Sequence, residues 1–154
     1  MNTLNIGDPA PNFELQAQDG KTWRLADFEG QNLLVYFYPK ADTPGCTTQS
    51  CAVRDAHDEL AGLDAKAIGI SPDKPEKQAK FDNKFDLGFP LLADTDHSVA
   101  ESYGAWGEKS MYGKKYMGMI RSSFLVDESG KIAGAWYKVK AGETVPKALE
   151  ALGG

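Results

Sequence analysis

Residues 33–55, LLVYFYPKADTPGCTTQSCAVRD, constrain this chain more than any other stretch. Leu33-Leu34-Val35-Tyr36-Phe37-Tyr38 is a short apolar run rich in aromatic and β-branched residues and bounded by a turn signal, the pattern of a buried strand. Pro39 ends it, because proline supplies no backbone N–H to a ladder. Thr43-Pro44 reads as a helix N-cap followed by proline at N1, which makes Cys46 the N3 residue. The first turn of a helix carries unpaired N–H groups and partial positive charge. A thiol there ionises more readily, and the thiolate is the nucleophilic form. The Thr43 oxygen is expected to accept the Cys46 N–H, with its hydroxyl hydrogen free to point at sulfur or a bound oxygen. Gly45 leaves room for a ligand to approach the backbone. A capped helix around a buried, inert cysteine has the same local pattern, since free cysteine is among the most buried residue types.

The rest of the chain supplies layers around that unit. Residues 13–17 and 22–25 alternate on either side of Gln18-Asp19-Gly20-Lys21, a β-hairpin signal. A helix is expected from Pro44 to about Leu60, a second buried strand over 65–71, and a helix opened by Ser71-Pro72-Asp73. A short strand and turn follow at 89–94, then a short helix over 98–103. Residues 104–120, rich in glycine, methionine and lysine, read as a long loop, and such loops are often functional. Residues 123–127 and 131–137 form a second hairpin around Glu128-Ser129-Gly130, and 145–152 a closing helix. Strands alternating with helices predict an α/β fold: a central mixed β-sheet flanked by helices, with an N-terminal β-hairpin. No linker or repeat divides the 154 residues, so residues 1–154 are expected to form one domain.

Cys51 lies five residues after Cys46 on the expected helix. Five residues rise about 7.5 Å and turn about 140°, which puts the two Cα atoms about 8–9 Å apart. A disulfide needs them within about 7 Å. Either the two cysteines never pair, or the helix opens. A zinc site usually takes four ligands; the chain offers the two cysteines, His57 and His97. His57 falls about 240° round the helix from Cys51, so no metal is expected and both histidines read as surface residues.

The net charge of −5 argues against nucleic acid as a main partner. No apolar run approaches the ~20 residues of a membrane span. MNTLNIGDPAPNF has neither a basic nor an apolar leader region, so a reducing cytoplasm is the expected location. Two cysteines in that setting point to redox or metal chemistry rather than a structural staple.

Pro39, Thr43 and Cys46 match the P-x-x-x-T-x-x-C signature of the peroxiredoxins, and YFYPKADTPGCTTQSCAVRD resembles their Q type, the bacterioferritin comigratory protein subfamily. The resemblance begins at Gly7-Asp8-Pro9-Ala10-Pro11-Asn12-Phe13 and continues through Tyr103-Gly104-Ala105-Trp106-Gly107-Glu108-Lys109 and Arg121-Ser122-Ser123-Phe124-Leu125-Val126-Asp127. It implies a thioredoxin-like fold and an enzyme that reduces hydrogen peroxide and organic hydroperoxides without a cofactor. Cys46 would become a sulfenic acid, Cys51 would resolve it to a disulfide, and thioredoxin or a glutaredoxin-like reductant would recycle it. The resemblance also implies a monomer.

Arg121 matches the family's active-site arginine, and Pro39 would shield the thiolate from bulk water. Tyr38 either bounds the pocket or belongs to the core. Arg54 lies about 12 Å further along the helix axis than Cys46 and reads as structural, and Arg24 has no link to the site. Gln49 departs from the glutamate common in the Q type and stays outside the expected catalytic set. The competing class is a non-catalytic redox-sensing or metal-binding thiol module, separated from an enzyme by whether peroxide is turned over.

Overall fold

The computed structural model describes residues 3–153. Three parallel strands, β3 (Asn32–Phe37), β4 (Ala65–Ser71) and β5 (Leu91–Ala93), form the middle of a seven-stranded sheet. The N-terminal hairpin, β1 (Glu14–Ala17) and β2 (Thr22–Arg24), adds antiparallel beyond β5. The C-terminal hairpin, β8 (Ser122–Val126) and β9 (Ile132–Trp136), adds antiparallel on the other side of β3. Mixed pairing, with helices covering the faces, gives the expected α/β architecture.

β3 is buried on both faces, which explains its unbroken apolar sequence. Leu33, Val35 and Phe37 enter one core with Phe124, Tyr103 and Phe13. Leu34, Tyr36 and the following Tyr38 enter the other, where α1 (Pro44–Asp55), α2 (His57–Gly62), α3 (Pro75–Phe85) and α5 (Thr144–Ala151) supply Val53, Leu60, Phe81 and Ala148. The short α4 (Ser98–Ser102) packs Val99 and Ala100 on the first face. Among the described residues no helix is long and apolar enough to cross a membrane.

Two elements differ from the sequence reading. The helix expected from Pro44 to Leu60 breaks at Ala56, whose backbone turns to φ −90°, ψ 6°. Val53, Ala56 and Leu60 are nevertheless buried in one cluster, so the apolar spacing runs through the break and conceals it. Residues 104–120 are not a loop. β6 (Trp106–Met111) and β7 (Lys114–Met119) form a separate two-stranded hairpin. Its turn takes positive φ at Tyr112 (52°) and Gly113 (78°), the left-handed pair of a tight hairpin turn without the usual Asn-Gly or Asp-Gly signal. Lys114, Lys115, Tyr116 and Met117 are all exposed, so no apolar alternation marks the strand.

Gly69 on β4 faces Tyr36 on β3. A Cβ there would lie 2.8 Å from the Tyr36 ring and 3.0 Å from Tyr38. Both rings are fully buried, so neither can swing away. Gly69→Ala should therefore cost about 1–3 kcal/mol by overpacking, read as a lower urea midpoint with unchanged slope. An unshifted midpoint would show that the two tyrosines repack freely.

Candidate active site

The turn between β3 and α1 is tied down from outside itself. The Ala41 N–H donates to Asp73 (2.7 Å), which also accepts the Ser71 hydroxyl at the end of β4 (2.9 Å). Lys84 pairs with Asp42 at 3.0 Å, and Asp42 sits in the left-handed region with φ 60°. Thr43 is the extended N-cap and Pro44 opens the helix, so Cys46 is N3 as the sequence predicts. The Thr43 hydroxyl does not cap the helix. It donates to the Lys40 carbonyl at 2.8 Å, closing the turn on itself. The first-turn N–H groups are thus left without a capping side chain, and the expected Thr43–Cys46 bond is absent.

Cys46 is buried, with 1% of its surface exposed. Arg121, just before β8, brings Nη2 to 3.3 Å from the Cys46 Sγ. Its Nη1 donates to the Gln49 Oε1 at 2.6 Å. Gln49 Nε2 donates in turn to the Thr144 hydroxyl (2.8 Å), which is 3.0 Å from the Ser123 hydroxyl. Gln49, Thr144 and Ser123 are fully buried, so the amide cannot rotate away from the guanidinium without losing partners it has no water to replace. Gly45 admits the arginine: a Cβ there would lie 2.9 Å from Nη2. Its missing side chain makes room for Arg121.

Tyr36 lies beneath the helix, its hydroxyl 2.8 Å from Ser50 Oγ. Burial pushes its pKa far up, the hydrogen bond from Ser50 opposing only in part, so the phenol stays neutral. Tyr38 is a core residue hydrogen-bonded to Gln78, not a pocket wall. Pro39 is half-buried where the strand ends. Cys51 is half-buried on the same unbroken helix, and both thiols are free.

Arg54 donates to the Phe85 carbonyl and to Asp55, and Arg24 pairs with Glu14 at the surface; both stand apart from Cys46. His57 is exposed, and His97 stacks on Trp106 with ring centroids 3.9 Å apart. Among the described residues no three His, Cys, Asp or Glu side chains are grouped to hold a metal ion. An apolar cavity of about 520 Å³ lies elsewhere, between Trp23, Phe28, Leu60 and Phe89.

The sequence reading set Gln49 outside the catalytic residues and gave Thr144 and Ser123 no role. Gln49 was within reach of it, three residues from Cys46 and hence on the same helix face. Nothing local marks Thr144, which arrives from the far end of the chain.

Residues 6–135 match the model of the AhpC/TSA family. The chain is 56% identical to peroxiredoxin Bcp of Escherichia coli (strain K12) over 132 residues, 86% of this chain and 85% of the relative. It is 47% identical to peroxiredoxin Bcp of Bacillus subtilis (strain 168) over 150 residues, 97% of this chain and 96% of the relative. Among solved structures, peroxiredoxin Q of Xanthomonas campestris superposes with a TM-score of 0.88 at 34% identity, covering 97% of this chain and 95% of that one. A cysteine-to-serine mutant of Xylella fastidiosa PrxQ gives 0.92 at 29% identity, with 99% and 98% covered.

Gln49→Leu removes the acceptor that fixes Arg121. Alkylation of Cys46 by iodoacetamide should slow by up to about tenfold, or about 1.4 kcal/mol, the scale of a lost hydrogen bond to a charged group. Gln49→Glu keeps an acceptor and should retain most of the rate. An unchanged rate in Gln49→Leu would mean that Arg121 is held without the amide.

Proposed function

The chain belongs to the AhpC/TSA family and is a peroxiredoxin, a thiol-dependent peroxidase, and we propose that Cys46 is its peroxidatic residue and Cys51 its resolving residue. The observation that carries this reading is the 3.3 Å contact between Arg121 and the buried Cys46 sulfur. A guanidinium at that distance stabilises a thiolate and leaves further N–H donors for a peroxide oxygen.

The Cys46 thiolate attacks one oxygen of the hydroperoxide and the O–O bond breaks. Negative charge builds on the departing oxygen, where Arg121 and the uncapped first-turn N–H groups are suited to receive it. With one proton taken up, the products are a Cys46 sulfenic acid and water or an alcohol. The Cys51 thiol then displaces water from the sulfenic acid to give a disulfide. A dithiol protein of the thioredoxin or glutaredoxin type returns two electrons and two protons. Pro39 limits water at the thiolate, and Thr43 shapes the turn that delivers it.

Organic hydroperoxides are proposed as substrates beside hydrogen peroxide; the bacterioferritin comigratory protein of Xanthomonas campestris is described by its alkyl peroxide reduction activity. Both cysteines lie on one helix, so the cycle needs no second chain, which supports a single-domain monomer. Two free thiols suit a reducing cytoplasm.

Disulfide formation requires the helix to open, because five intervening helical steps keep the Cα atoms about 8–9 Å apart. Serine and threonine between the cysteines favour opening only weakly. Gln49 and Ser50 are fully buried, and the bonds Arg121–Gln49, Gln49–Thr144 and Tyr36–Ser50 must break. At about 1 kcal/mol each, these set an opening cost on the order of 3 kcal/mol before any burial is lost.

Cys46→Ser should abolish peroxide consumption with a thioredoxin system, since a hydroxyl without an adjacent base cannot replace the thiolate. Cys51→Ser should consume one equivalent of peroxide per chain and then stop until an external thiol is added. Equimolar oxidation of the parent protein without turnover would instead favour a redox-sensing module.

Amide exchange tests the helix. Reduced protein should protect residues 47–55, and the disulfide form should lose protection around 47–52. A Cys46–Cys51 disulfide with full protection retained would overturn the opening step.

A further inference from the structure

Lys109 is the one lysine of the β6–β7 hairpin drawn inward among the described residues; Lys114 and Lys115 are exposed. It pairs in register with Tyr116, yet its Nζ reaches back along the neighbouring strand and donates to the Met119 carbonyl at 2.9 Å. The stem lies across Gly118, where a Cβ would come within 3.0 Å of Lys109 Cδ and 3.3 Å of the Tyr116 ring. Two residues beyond Met119 the chain delivers Arg121 to Cys46. Met119 and Ile120 are buried, and the Ile120 N–H is held by the Ala105 carbonyl at 2.7 Å. The ammonium thus braces, from the hairpin side, the backbone that carries the active-site arginine.

We propose that Lys109 is a positioning residue of the Cys46 site, a second cation that holds residues 119–121 from the hairpin side and adds positive potential favouring the thiolate. The inference rests on the reading of Cys46 as the reacting thiol. Burial first, and then repulsion from Arg121, push the Lys109 ammonium below the ordinary lysine range, while the negative Cys46 opposes that shift. An interaction between two titrating groups is mutual, so a thiolate that favours the ammonium is favoured by it. Among the described residues the other titratable groups acting on Cys46 are the neutral buried phenols Tyr36 and Tyr38 from the β3 side and Arg121 ahead of β8, with Cys51 turned about 140° away on α1. Thr144, at the start of α5, contributes no charge.

The test is the rate of Cys46 alkylation by iodoacetamide against pH, in reduced protein carrying Cys51→Ser. Lys109→Met keeps most of the stem and removes the charge. It should move the midpoint of the profile up by about half a pH unit, which slows the reaction about threefold at pH values well below the midpoint. Lys109→Arg keeps a cation and should match the parent. An unmoved midpoint in Lys109→Met overturns the proposal, as does an equal shift in Lys109→Arg, which would trace the effect to packing. Should Lys109→Met fail to fold, Gly118→Ala lifts the charged stem from Met119 and should raise the midpoint by a smaller step; no change there overturns the proposal equally. Alkylation needs no peroxide. A parent protein that alkylates normally but consumes no peroxide would sink the peroxidase assignment, whereas a flat Lys109→Met profile sinks only the role of the lysine.

Discussion

The guanidinium of Arg121 bridges the Cys46 sulfur and the Gln49 amide, and the geometry of the site depends on that bridge. A planar, always-charged fork can satisfy two acceptors at once, which a flexible ammonium cannot do with the same rigidity. Three neighbours make the bridge possible. Gly45 omits the Cβ that would collide with Nη2. Thr144 holds the Gln49 amide from α5. The Val139 N–H donates to the Arg121 carbonyl at 3.0 Å and fixes the backbone from which the side chain reaches. The residues converging on one sulfur therefore come from α1, the lead into β8 and the start of α5, and the sheet between them sets their spacing.

In the cycle proposed for Cys46 and Cys51, the same helix carries two opposed requirements. Reduced, it must be intact, because its first turn presents the N–H groups and the sulfur together. Oxidised, it must open for Cys51 to reach Cys46. Gln49 and Ser50, between the two cysteines, are the residues whose buried hydrogen bonds set the balance. Helix propensity alone would place this balance too far toward opening, because it counts the weak helix preference of serine and threonine and misses the burial of Gln49 and Ser50. The break at Ala56 separates α1 from α2, which is packed into the core through Leu60.

Much of the scaffold was legible because its signals are local. β3 and β4 announce themselves by apolar runs that are buried on both faces, and the N-terminal hairpin by alternation around Asp-Gly. Pro44 after Thr43 marked the start of α1, and with it the N3 position of Cys46. The β6–β7 hairpin escaped because Lys114, Lys115, Tyr116 and Met117 are all exposed, which removes the apolar alternation, and because its turn is made by Tyr112-Gly113. The Thr43 hydroxyl was misassigned for a different reason. Its hydrogen goes to the Lys40 carbonyl, and only the shape of the turn decides whether its oxygen also reaches the Cys46 N–H, which here it does not.

The sequence by itself determined the order of elements apart from the β6–β7 hairpin and the break at Ala56, the helix-start position of Cys46 and, through the residues around it, the family and its thiol chemistry. These follow from neighbours within a few residues, where propensity, proline placement and periodicity act. Only the tertiary structure decided what surrounds the sulfur. Arg121, expected beforehand only through the family resemblance, arrives 75 residues after Cys46, Thr144 lies 95 residues from Gln49, and Lys109 is anchored through a hairpin whose strands no apolar alternation marks. The contacts of such groups depend on the packing of the sheet and on which side chains burial deprives of water. No local pattern encodes either quantity.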